Sequence, residues 1–408
     1  MRRGPGRWGF PDTPPVRHIT TAERRTRIAI RHHIAPEARV ASPVDAARGV
    51  VCLHATDPSS VYLSAWARMI DPSFDLVDRA LYEERQLLRM LAMRRTMFVV
   101  PTEEAPVLHA AASLGVARIE RQRNEQLAGM LGVDDPAAWM RAAEEATIAE
   151  LERRGEATAQ ELSRAVPALA QKVRVNVSKR YEGDIGISSR VLILLALEGR
   201  IVRGRPRGTW TSSQYRWVSM ERWLGRPLAS LEVSAAQAQL VERWLARFGP
   251  GTEADLRWWT GLTARAVRAA MARIGAEPVD LDGAVGYVLP GDTESTPAPA
   301  PWVALLPALD PTTMGWQARD WYQGPHKGPL FDSNGNAGST MWVDGRIVGG
   351  WAIRDGGEIV TGLLEDVGRE VELAIEVEGA RLSARLESVR VVPRFPTPLQ
   401  HQARELTM

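Results

Sequence analysis

Residues 187–218 read ISSRVLILLALEGRIVRGRPRGTWTSSQYRWV. From Val191 to Leu197 every side chain is apolar, which fits a helix buried on all sides. Gly199 supplies a stop signal for that helix. Beyond it, two short runs rich in β-branched and aromatic residues flank a Gly/Pro segment, the pattern of two strands and a turn. A helix feeding a two-stranded hairpin is the closing half of a winged helix, and the residues upstream supply the opening half. They are a long amphipathic helix over 138–155, a Gly break, and a short helix TAQELSRAV over 158–166, opened by a Thr158/Glu161 capping box.

The same order recurs downstream. AAQAQLVERWLARFGPG (235–251) leads to TEADLRWWTG, TARAVRAAMARIG and a hairpin-like AEPVDLDGAVGYVLP ending at Pro290. The first hundred residues follow suit. Thr20 and Glu23 open a capped helix, LYEERQLLRMLAM (81–93) predicts a helix, and RTMFVVP (95–101) a strand. After the Pro-rich segment 290–301, runs such as STMWVDG, RIVGGWAI, EVELAIEV and RLESVRVVP predict a small antiparallel β-barrel. The expectation is an α+β chain of three tandem winged-helix modules (16–135, 136–225 and 226–290) and a linker at 291–301. A barrel with its C-terminal tail follows over 302–408, and a flexible arm precedes the modules over 1–15.

Composition narrows the function. The chain has 408 residues, 45% hydrophobic and 25% charged, and its one cysteine, Cys52, excludes an internal disulfide. No apolar run approaches the roughly 20 residues that span a bilayer, and the first residues lack a signal-peptide core. A soluble, cytoplasmic, nucleoid-associated monomer is expected, without membrane contact. His18, His109, His326 and His401 have no cysteine or carboxylate partners at ligand spacing, no Walker loop is present, and RGPGRWG follows no strand. Neither metal nor nucleotide cofactor is expected.

Net charge is only +2, but its distribution is uneven. Residues 199–218 hold five Arg and no acid, whereas 355–378 hold eight acids and one Arg. The hydrophobic helix 191–197 offers nothing to base edges, so the wing is the better DNA element. Its residues Arg203, Arg205, Arg207, Trp210, Tyr215 and Arg216 combine phosphate-binding cations with rings that wedge or stack. Arg174, Lys179 and Arg180 extend the basic path, and Arg265 and Arg268 share a helical face. A solvated hairpin and an ordinary surface helix are the plainer alternatives. The partner expected is double-stranded DNA, bound with little sequence preference.

One polar knot interrupts the first module. In VVCLHATDPSSVYLSAWARM (50–69), His54, Thr56 and Asp57 lie within four residues at the junction of two apolar runs. The plain reading is a helix start, with Asp57 as N-cap and Pro58 in the first turn. The other reading is a catalytic constellation: a neutral histidine as base or water holder, a hydroxyl to orient it, and a carboxylate to steady developing charge.

Four blocks, LHATDPSSVYLSAWARM, MRRTMFVVP, GRPRGTWTSSQYRW and LLPALDPTTMGWQARDWY, resemble the winged-helix DNA glycosylases of the AlkZ/YcaQ type. The likeness runs from about Thr20 to Pro393. It implies excision of alkylated or crosslinked purines by hydrolysis of the N-glycosidic bond. It also implies that His54-Ala55-Thr56 stands where the family carries Gln-x-Gln or Gln-x-Asp, with Asp57-Pro58 retained. Two readings stay open: a working DNA glycosylase using His54, Thr56 and Asp57, or a catalytically inactive winged-helix DNA binder of regulatory or architectural role.

Overall fold

The computed structural model describes residues 17–175, 183–354, 357–386, 389 and 391–405. The helix–helix–helix–hairpin order of the middle segment is present. Helix Pro136–Arg154 is followed by Ala159–Ala165 and Ile187–Leu197, then by strands Ile201–Pro206 and Tyr215–Ser219. Thr158 and Glu161 form the reciprocal capping box, so two N–H groups at the helix start find side-chain acceptors. Ile187–Leu197 buries seven of its eleven residues, as its unbroken apolar run requires. A second hairpin, Lys172–Val175 with Gly183–Gly186, is inserted before that helix and was not expected.

The next segment repeats the order with Val233–Phe248, Glu253–Thr260, Ala264–Ile274 and the hairpin Glu277–Leu281/Ala284–Val288. Its turn is Asp282-Gly283, both at positive φ (53° and 94°), the two-residue geometry that matches strand twist. Asp255 at N3 completes the capping box with Thr252. Thr20, by contrast, caps helix Thr21–Arg31 in one direction only, because Glu23 is taken by Arg17 and Arg27.

Two expectations need correction. Residues 81–93 do not form one helix: 81–83 end the helical turn Arg79–Glu83, and Leu87–Leu91 is a strand paired with Met97–Pro101, in a sheet whose third member is Leu53–His54. All five residues of Leu87–Leu91 are buried, and a short apolar run of that kind carries no periodicity to separate strand from helix. Nor is there a closed barrel among the described residues. The C-terminal part is an open four-stranded antiparallel sheet, Val303–Leu306, Thr340–Val343, Arg346–Ile353 and Ile359–Leu363, paired in that order. The segment EVELAIEV belongs to a helix, Arg369–Leu386, instead of a strand. Its buried residues Ile375, Gly379, Leu382 and Leu386 recur every three or four positions, a helical stripe that packs on the sheet.

Aromatic packing joins the third segment to this sheet. Phe248 and Trp316 meet at 5.3 Å and Tyr322 stacks on Trp342 at 5.3 Å. A buried ion pair, Arg68 with Asp310, ties the first segment to the same region. His32 is also structural. It is fully buried, bonds Thr312 Oγ1 and the Arg247 carbonyl, and burial with nearby Arg68 drives its pKa far down. The ring is therefore neutral at physiological pH and carries no charge toward the end of its helix.

Candidate active site

The polar knot begins on strand Leu53–His54, where His54 is paired with Phe98 and the two rings meet edge to face at 5.5 Å. His54 is thus a strand residue. The Thr56 N–H donates to His54 Nδ1 at 3.4 Å. With Nδ1 accepting, the proton of the neutral ring sits on Nε2. Burial, reinforced by the charge of Arg94, lowers the His54 pKa to about 4. The ring is neutral at physiological pH, and its remaining polar atom is a donor instead of a basic lone pair.

Asp57 is the N-cap of helix Pro58–Trp66. One of its oxygens accepts from Ser59 N and Ser59 Oγ at 3.0 and 2.7 Å, and the other from the Arg394 N–H at 2.9 Å. It makes no hydrogen bond to His54 or Thr56, contrary to expectation. A carboxylate held by three donors is committed to fixing backbone. The Arg394 guanidinium in turn donates to the Thr56 carbonyl at 3.3 Å.

His54 lines a polar cleft of about 600 Å³. Arg94 and Arg319 line it too, their guanidinium carbons 4.5 and 4.8 Å from the centre of the Trp258 ring. Arg319 also lies 4.8 Å from the ring of Phe331. Among the described residues neither arginine has an ion-pair partner. Burial lowers the pKa of both; the charge of Arg319 lowers that of Arg94 further, while nearby Tyr322 and Asp255 partly offset the effect at Arg319. Gln323, only 3% exposed, completes the wall; its Nε2 donates to Asp320 and its Oε1 is unpartnered. Arg94 and Gln323 were not singled out from sequence. Arg94 lies on a tight turn at φ 54°, and nothing in local pattern marks such a residue as facing a cleft.

The wing is less free than its composition suggests. Arg205 pairs with Asp78 at 3.0 Å and Glu83 at 3.3 Å, and Arg216 with Glu156 at 2.7 Å. Trp210 packs on Tyr62 and Phe74 at 5.1 and 4.6 Å, which makes it part of the contact with the first segment. Tyr215 is buried, and Arg203 lies over the rings of Tyr215 and Trp217. Burial lowers the Arg203 pKa to about 10. Arg207 is exposed. The expected path beyond the wing divides: Arg174 stands 3.6 Å from Asp184, Arg268 pairs with Glu253 at 2.8 Å, and Arg265 is exposed. Lys179 and Arg180 fall outside the described residues.

His54 and the wing arginines do not line one common cavity. Arg203 and Arg207 border a separate one of about 440 Å³, and Arg205 borders a third groove. The knot and the wing are linked through Arg394, whose charge bears on Arg203 while its side chain holds Thr56. Among the described residues no group of three or more His, Cys, Asp and Glu is placed to hold a metal, and no helix is long and apolar enough to cross a membrane.

A cleft with two arginines that lack ion-pair partners among the described residues, in a chain that also carries an arginine-rich hairpin, is suited to a polyanion. The chain belongs to the AlkZ-like DNA glycosylase family, which it matches over residues 47–385. Among solved structures it resembles the DNA glycosylase AlkZ of Streptomyces sahachiroi, with a TM-score of 0.67 and 22% sequence identity. That likeness covers 93% of this chain and 99% of the other. No curated relative matches the sequence.

Proposed function

We propose that this protein hydrolyses the N-glycosidic bond of alkylated or crosslinked purines in duplex DNA, on a scaffold of three winged-helix modules. The observation that carries the reading is His54. It is a neutral residue on the wall of a cleft with two arginines that lack ion-pair partners among the described residues, and the family resemblance would put it where the motif's first glutamine stands. Arg94 and Arg319 suit strand phosphates, which flank any base presented to the cleft.

The chemistry asks little of the chain. An N7-alkylated purine is cationic, so the C1′–N9 bond breaks with its electron pair passing to the base, which becomes neutral. The sugar left behind is an oxocarbenium ion. Water adds its oxygen to C1′ and loses a proton to solvent. The protein's share is to stabilise that cationic sugar and to place the water. His54 Nε2–H positions the attacking water by donation; it does not take a proton. Thr56 positions His54 through its backbone N–H, and Asp57 positions both by fixing the start of helix Pro58–Trp66.

The second reading is a DNA binder without catalysis. It is favoured by the replacement of both motif glutamines and by the complete engagement of Asp57 as a helix cap. One experiment separates the two. Duplexes carrying N7-alkylguanine, uracil or an interstrand crosslink are incubated with the protein and scored for abasic sites. Release from the alkylated or crosslinked duplexes supports the enzyme; duplex binding without release from any substrate supports the binder.

A further inference from the structure

The wing borders a cavity that the proposed reaction does not use. At about 440 Å³ it falls within the size range of small-ligand pockets. Leu192 and Ile193 of helix Ile187–Leu197 and the indole of Trp217 form an apolar surface, while Arg203 and Tyr215 form a polar wall. The amides of Gln160 and Gln214 stand at its edge.

The polar wall lacks an anion. Two guanidinium groups lie near the Tyr215 ring, that of Arg89 at 5.0 Å and that of Arg203 at 5.2 Å. Tyr215 Oη, Arg203 Nε and both terminal nitrogens of Arg89 are buried without a hydrogen-bond partner. Arg89 is 2% and Tyr215 6% exposed. Among the described residues neither guanidinium has an ion-pair partner; Arg89 is held only through Nε, on Tyr82 Oη. Two adjacent buried cations repel, and buried donors without acceptors are costly, so the wall as built is complementary to negative charge.

We propose that this cavity is a nucleotide site. The planar base lies against Leu192, Ile193 and Trp217, and the phosphate meets Arg203 and the Tyr215 hydroxyl, with Arg89 adding charge from behind. Gln160 and Gln214 offer both donors and acceptors to a base edge, which a simple aromatic acid does not display. The nucleotide comes either from solution or from a DNA strand, as a unit turned out of the duplex. The strand source rests on the DNA-binding reading above; the site itself does not.

Titration calorimetry with deoxyadenosine monophosphate tests it, with deoxyadenosine and inorganic phosphate as fragments. Saturable one-to-one binding of the mononucleotide is expected. Arg203→Gln should weaken it by about tenfold or more, the usual worth of a charge-assisted hydrogen bond. Ile193→Trp, which fills the cavity and leaves every cation in place, should weaken it as much, with thermal melting confirming that both variants fold. Displacement of the mononucleotide by a duplex with an unpaired adenosine assigns the strand as the source; binding without displacement assigns the free nucleotide. A mononucleotide that does not saturate, or that binds Ile193→Trp as tightly as the parent, overturns the proposal. A parent that binds the mononucleotide but no duplex would retain the site and remove the DNA reading. One that binds duplex but no mononucleotide would do the reverse.

Discussion

The backbone N–H of Thr56 donates to Nδ1 of His54 at 3.4 Å, and this contact sets which face of the histidine chemistry can use. The ring carries its proton on Nε2 and stays neutral, since burial and Arg94 bring its pKa down to about 4.

Excision should therefore be insensitive to pH from neutrality down to about 5, and fall as pH passes through about 4. An unperturbed histidine would place the fall near about 6.5. The same depressed pKa has a stability consequence. The unfolded chain takes up the proton below about 6.5 and the folded one does not, so stability contributed by neutral His54 declines between the two values as pH falls. A pH–rate profile, with circular dichroism at each pH, checks both; a midpoint near that of free histidine would show that His54 is not held as described.

His54→Ala should lower excision on alkylated duplex by about a hundredfold, the scale of misplacing a reacting group such as the water. Duplex affinity should stay within twofold or so of the parent, because phosphate contacts dominate it. The double change His54→Gln with Thr56→Gln should preserve or raise activity. An inactive parent rescued by the double change would mean that the chain kept its scaffold and gave up the reaction.

Duplex binding should weaken steeply with salt through counterion release. Arg207→Ala should reduce the slope of log affinity against log salt by about 1, as loss of one phosphate contact does. Arg205→Ala should reduce it less, because Asp78 and Glu83 already neutralise that cation. Equal slopes for the parent and Arg207→Ala would remove the wing from the interface.

Arg68 and Asp310 form two hydrogen bonds, at 2.7 and 2.8 Å, with neither side chain exposed. Arg68→Ala should cost about 3–5 kcal/mol in urea unfolding, since it leaves Asp310 charged and unpaired in the interior. Replacing both partners with apolar residues of similar volume should cost far less. A small loss for the single variant would show that solvent reaches the pair.

Trp210→Ala should destabilise the protein by on the order of 2 kcal/mol, below the roughly 3–5 of a fully buried tryptophan, because its ring is only partly covered. The measurement separates packing from DNA contact: a variant of parental stability but weakened duplex affinity would return Trp210 to the interface.

The sequence alone determined whatever depends on neighbours along the chain. The capped helix starts at Thr158 and Thr252, the Asp282-Gly283 hairpin and the buried helix after Arg190 follow from spacing, propensity and turn chemistry. So does Asp57 as an N-cap. Tertiary structure alone decided the rest. Leu87–Leu91 became a strand because Met97–Pro101 offers it a ladder, and Arg369–Leu386 a helix because its apolar stripe finds a sheet to cover. The partners of charge were equally invisible. Arg205 meets Asp78 across 127 positions and Arg68 meets Asp310 across 242. Composition counts cations, but Coulomb energy depends on distance and burial, and both are set by how the segments pack. Arg94 entered the His54 cleft, and Trp210 left the wing surface, for that reason.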